Sequence, residues 1–169
     1  IDKPLTIRAA GQDRPSIEFE RTALFEILDG GALKLENLSI SGASAPDVAG
    51  NSLIRTSRYS MLTNYELIVN NCEVKDLDVN HSFNFLTVSK STFAKRIEIN
   101  NSIFSNITGA ILALDKETDD LGLYNAEYVV ITDSRFKDIG KALLNIYRGG
   151  TDESTFGPHV TIRGADLIS

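Results

Sequence analysis

Residues 97–107 read IEINNSIFSNI, and this stretch decides the fold. Its opening, Ile97-Glu98-Ile99-Asn100, alternates apolar and polar residues with period two, the pattern of a strand with one buried face. Asn101 stands where that strand ends. Asparagine tolerates sharp bends and bonds neighbouring backbone, so it suits a corner. Ile103 and Phe104 then start a second apolar stretch.

The same pattern recurs along the chain. It is found at 33–40 (LKLENLSI), 67–77 (LIVNNCEVKDL), 129–139 (VVITDSRFKDI) and 160–169 (VTIRGADLIS), with a weaker copy at 5–10 (LTIRAA). Taking Ile7, Leu35, Val69, Ile99, Ile131 and Ile162 as anchors, the copies recur every 28 to 34 residues. Asn37, Asn71, Asn101 and Asp133 occupy the same offset within them. Between the anchors lie further short apolar runs, at 51–56 (NSLIRT), 83–89 (FNFLTVS), 109–115 (GAILALD) and 142–147 (ALLNIY). One period therefore reads strand, turn, short strand, loop, strand, loop, with no helical periodicity.

A repeat of about 30 residues built this way predicts an all-β fold: a right-handed, single-stranded parallel β-helix, a solenoid of about six coils spaced about 4.8 Å apart. Equivalent turn asparagines would stack from coil to coil as a ladder. A leucine-rich repeat needs a regular second Leu and Asn frame that the later copies lack. An antiparallel sandwich needs tight Asn-Gly or Asp-Gly hairpins, and Asp29-Gly30-Gly31 is the single such site.

The remaining bounds fit one domain spanning 1–169. With 169 residues, 42% apolar and 24% charged, the chain is long enough for a sizeable core. Its 17 Lys and Arg against 23 Asp and Glu give a net charge of −6, which disfavours nucleic acid and anionic membrane as partners. No apolar run approaches the roughly 20 residues of a membrane span. Cys72 is the lone cysteine and reads as a buried structural thiol. The chain starts on Ile1 and reads as a fragment or mature form. No amphipathic capping helix is visible at either end, so a larger protein is expected to cover the terminal coils.

Chemistry is sought in the loops where coils depart from one another. Asp115, Glu117, Asp119 and Asp120 offer hard oxygen ligands within six residues, which reads either as a calcium site or as a solvated acidic loop. Arg55, Arg58, Tyr59, His81, Lys116, Tyr147 and Arg148 all fall near strand ends or in loops. In a solenoid, residues at equivalent positions of successive coils form a row. A row of cations and aromatics suits a polyuronate chain, with Arg pairing each carboxylate in bidentate fashion. The competing reading is a set of surface cations paired with neighbouring acids. Uronate β-elimination needs a group that neutralises the carboxylate, a base and an acid. The residue types are present, but no catalytic residue is assigned. No nucleophile elbow, phosphate loop or dinucleotide fingerprint occurs, and His81 and His159 are too dispersed for a zinc site.

The stretches 51–59 (NSLIRTSRY), 80–84 (NHSFN), 112–125 (LALDKETDDLGLYN) and 146–159 (IYRGGTDESTFGPH) resemble the alginate lyases of polysaccharide lyase family 6, the chondroitinase-B-like β-helix enzymes that include poly(β-D-mannuronate) lyases. The resemblance runs from Leu5 to about Ile162 and is to the C-terminal β-helix domain of the two-domain members. It implies that the catalytic Lys and Arg, and the calcium site that neutralises the substrate carboxylate, lie in an N-terminal β-helix; no counterpart of that constellation is found here. It also implies an N-terminal catalytic domain as partner, alginate as the acidic polysaccharide, a homodimer, no cofactor in this chain, and a periplasmic or secreted location. Three readings stand: a non-catalytic lyase domain, an autonomous uronate-binding module, and a small lyase with its own Arg, Tyr, His and Lys site.

Overall fold

The computed structural model describes residues 1–59, 61–117, 124–147 and 157–169. Within them all regular structure is β. The first sheet holds β1 (Pro4–Arg8), β4 (Ala32–Glu36), β7 (Leu62–Asn70), β10 (Thr92–Asn100), β13 (Ala126–Thr132) and β16 (His159–Arg163), in that spatial order. The second holds β2 (Ser16–Glu18), β5 (Ser39–Ser41), β8 (Glu73–Leu77), β11 (Ile103–Ile107), β14 (Arg135–Ile139) and β17 (Asp166–Ile168). The third holds β3 (Phe25–Ile27), β6 (Ser52–Thr56), β9 (Asn84–Thr87), β12 (Leu112–Leu114) and β15 (Leu144–Ile146). Each period gives one strand to each sheet, so the chain winds as a parallel β-solenoid. Five turns hold all three strands, and the sixth holds strands in the first two sheets.

Every described strand pair is parallel, which excludes the antiparallel sandwich. The six sequence anchors form one continuous row: Ile7 faces Leu35, Leu35 faces Val69, Val69 faces Ile99, Ile99 faces Ile131, and Ile131 faces Ile162. The four inner anchors are fully buried. Behind them Phe85, Phe104 and Phe136 stack through the core, with ring centroids 5.0 Å and 5.2 Å apart. Such aromatic contacts add about 0.5–1.5 kcal/mol each beyond the area they bury.

The corner between the first and second sheets is left-handed. Asn37, Asn71, Asn101 and Asp133 have φ of 54°, 51°, 45° and 48°, and Gly164 takes the same place in the last coil at 62°. Asn, Asp and Gly adopt this conformation at least cost. The Asn71 carboxamide donates to Asn37 Oδ1 at 3.1 Å, so the expected side-chain ladder forms between these two coils. It does not continue: Asn71 Oδ1 accepts instead from Arg14 at 2.9 Å. The backbone carries the row onward, because the Asn37, Asn71, Asn101 and Asp133 amides each donate to a carbonyl of the next coil.

Just inside this corner lies a second row. The Leu38 amide faces the Cys72 sulfur, the Cys72 amide donates to Ser102 Oγ at 3.0 Å, and the Ser102 amide donates to Ser134 Oγ at 3.1 Å. Each side chain also donates to the carbonyl two residues before it, from Cys72 Sγ to Asn70, from Ser102 Oγ to Asn100 and from Ser134 Oγ to Thr132. Cys72 is thus buried, as expected, and does the work of a serine. Burial pushes its thiol pKa up.

The terminal coils expose apolar residues, among them Leu5 at one end and Ile162 and Leu167 at the other. Ile1 lies alongside β3: its amino group donates to the Glu26 carbonyl and its carbonyl accepts from the Leu28 amide.

Candidate functional site

Register decides which loop residues meet. On the outer face of the third sheet, Glu26 pairs with Arg55, and Arg55 with Thr87. Ala113 and Asn145 continue that face. Arg55 is therefore the one cation of its row, and its Nε and a terminal N–H both donate to Glu26 Oε2, at 2.9 and 2.7 Å. It sits in an ion pair one coil from its own strand.

Arg58 and Tyr59 follow β6 at the corner between the third and first sheets, where Tyr59 stands 94% exposed. Lys116 and Tyr147 follow β12 and β15 at the same corner, so the topology does align these four along one edge. Lys116 Nζ lies 3.4 Å from Asp115 Oδ1, and Asp115 Oδ2 accepts from Asn145 at 2.7 Å. Tyr147 is half-exposed. Arg148 lies outside the described residues. His81 is elsewhere, between β8 and β9 at the corner joining the second and third sheets. There its Nδ1 lies 3.0 Å from Asp47 Oδ1. That hydrogen bond, with those from Asn80, holds the Asp47 carboxyl below the usual carboxylate range. The six candidates among the described residues are thus divided: four along one edge with Arg55 on the adjoining face, and His81 at another corner.

The acidic loop divides too. Glu117 is buried, and its Oε1 accepts from the Ser91 amide and from Asn125 Nδ2. Asn125 also donates to the Thr92 carbonyl and accepts from the Lys116 amide, each at 3.0 Å. A buried carboxylate bound in this way fixes the turn. Asp119 and Asp120 lie outside the described residues. Among the described residues no group of three His, Cys, Asp or Glu side chains converges for a metal, and no helix is long and apolar enough to cross a membrane.

A polar groove that no sequence motif marks lies along the corner between the first and second sheets. It has a volume of about 410 Å³, and its lining includes Arg14, Asn71, Asn101, Asp133 and Arg135. Asn71, Asn101 and Asp133 stood out as corner residues, but their side chains were read only as a ladder. Arg14, from the connection between β1 and β2, belongs to no repeat and carried no signal.

The chain is similar in structure to the PL6 family alginate lyase AlyGC, with a TM-score of 0.95 and 46% sequence identity. The match covers 99% of this chain and 23% of that one, where it falls on the C-terminal domain. A point mutant of the same lyase matches equally, with TM-score 0.95, 46% identity and the same coverage. This chain therefore spans less than a quarter of the solved relative's length. No curated protein matches it. Residues 1–121 match the family model described as a domain of unknown function, DUF4957. The chain belongs to the DUF4957 family.

Proposed function

We propose that this chain is a non-catalytic β-solenoid domain of an alginate lyase, with the β-elimination chemistry carried by another domain of the parent protein. The observation that supports this most is the match at 46% identity over 99% of the chain to part of a PL6 alginate lyase. The dispersal of the candidate residues agrees: elimination needs a carboxylate-neutralising group, a base and an acid around one sugar. Here Arg55 is held by Glu26, and His81 lies at a different corner from Lys116 and Tyr147. In this reading the domain packs against a catalytic β-helix, supports a homodimer, or touches the polymer. Calcium, if used, belongs to the catalytic domain, and the parent works in the periplasm or outside the cell.

The separating experiment adds polymannuronate to the isolated chain and to a longer protein that carries it, and follows unsaturated product by absorbance. The proposal expects product from the longer protein alone. A second reading, an autonomous uronate-binding module, draws support from the polar groove and from the exposed Arg58, Tyr59 and Tyr147. Calorimetry with oligomannuronate tests it, and Arg58→Ala should then weaken binding, more so at low salt.

A further inference from the structure

The groove between the first and second sheets has features that the fold does not use. Asn37 and Asn71 are bonded to each other, as a coil ladder requires. The next rung is missing, because the Arg14 guanidinium crosses from the first coil and takes Asn71 Oδ1 at 2.9 Å. Asn101 and Asp133 are left as successive rungs whose side chains have no hydrogen-bond partner among the described residues. Below them Gly164 removes the next side chain altogether: a Cβ there would lie 2.4 Å from Asp133 Oδ1, so the carboxylate lies over the space the glycine leaves. At the far side Arg135 reaches Asp166 at 3.4 Å, with both side chains more than half exposed. Such a pair contributes little and gives way to a better-placed carboxylate.

We propose that this groove binds a short stretch of uronate polysaccharide, a site separate from the Arg58, Tyr59 and Tyr147 edge. Donors and acceptors in the groove match those of a uronate chain. Arg14 spends one N–H on Asn71 and keeps the rest of its fork for a sugar carboxylate. Asn101 donates to and accepts from ring hydroxyls, and Asp133 accepts from them. Arg135 provides a second cation beyond Asp133, exchanging Asp166 for a uronate. Rungs recur about every 4.8 Å along the corner, which suits a linear polymer lying parallel to the solenoid axis. The volume of about 410 Å³ falls within the range of small-ligand sites. This inference deepens the alginate-lyase reading, and it names the surface through which the domain touches the polymer.

The test is calorimetric titration of the 169-residue chain with hexamannuronate, and with a neutral cello-oligosaccharide as control, at low salt. Wild type should bind the uronate and not the neutral sugar. Arg14→Ala should weaken binding by about tenfold, the loss of one charge-assisted contact. Asn101→Gly, which keeps the left-handed corner, should also weaken it, while Lys95→Ala, an exposed cation outside the groove, leaves it unchanged. Two results overturn the proposal: no binding by wild type, or binding that Arg14→Ala and Asn101→Gly leave intact. Equal binding of the neutral sugar also overturns the uronate assignment. The alginate-lyase reading fails separately, by absence of lyase activity in the longer protein.

Discussion

The backbone amide of Cys72 donates to the hydroxyl of Ser102 at 3.0 Å, from one coil to the next. Both groups are buried, so neither has water as an alternative partner. Ser102→Ala should orphan the Cys72 amide and cost about 1–3 kcal/mol by denaturant unfolding. Cys72→Ser keeps the donor and acceptor of the row and should change stability by less than about 1 kcal/mol. A Cys72→Ser loss as large as that of Ser102→Ala would show that thiol packing, and not the hydrogen-bonded row, matters at this position.

Tyr65 carries the opposite case. It is fully buried, and its hydroxyl has no hydrogen-bond partner among the described residues. Burial also pushes its phenol pKa up. Tyr65→Phe removes an unsatisfied polar atom and keeps the ring, so it should stabilise by about 1 kcal/mol. For a chain of this size that is a rise in Tm of about 2–4 °C, read by thermal melting. A lower Tm would mean that the hydroxyl makes a stabilising contact.

The left-handed corners make a backbone prediction. Asn101 holds φ at 45° with no side-chain partner among the described residues, so its effect is conformational. Asn101→Ala should cost about 1–2 kcal/mol, and Asn101→Gly should cost much less. Comparable losses for the two would assign the effect to the side chain instead.

Gly109 is fixed by space. A Cβ there would lie 2.4 Å from the Phe83 carbonyl oxygen and 2.3 Å from Asn84 Oδ1. Asn84 is itself held, since its Oδ1 accepts from the Ala110 amide at 2.8 Å. Gly109→Ala should destabilise by about 2–3 kcal/mol, seen as a lower urea midpoint. An unchanged midpoint would mean that this corner relaxes freely.

Acid should weaken the second sheet. Glu73 accepts from the Ser39 hydroxyl at 2.7 Å and lies 3.3 Å from Lys75, and the Ser39 bond does most to hold its pKa below the ordinary 4.5. As pH falls, the unfolded chain binds this proton first. The contribution of Glu73 is therefore full above about pH 4.5 and is lost as pH drops through the lower folded value. Glu73→Gln should flatten the pH dependence of unfolding in that window. An unchanged slope would assign the acid sensitivity to other carboxylates.

Much of the fold was legible in the sequence because a solenoid repeats its instructions. The anchors from Ile7 to Ile162 fall in one register, and the Asn and Asp residues at the strand ends do form left-handed corners. A second such row, Asp76, Asn106 and Asp138 with φ of 55°, 56° and 53°, was also encoded, at a fixed offset in KDL, SNI and KDI. It is masked because the residues lie inside strands that otherwise alternate. Strands β2 and β3 fall in the divergent first coil, where no repeat pattern marks them.

The site was less legible, since a contact between coils depends on register and not on residue type. Glu26 and Arg55 are 29 positions apart and meet only because β3 pairs with β6. Equally, nothing near Arg14 in the sequence indicates that it reaches Asn71.

Under the proposed function this solenoid belongs to an alginate lyase without carrying its chemistry. The most direct measurement follows unsaturated uronate by absorbance when polymannuronate is added to equal molar amounts of the 169-residue chain and of a longer protein containing it. Steady product formation is expected from the longer protein and none from the chain. Turnover by the chain alone, or none by the longer protein, would contradict it.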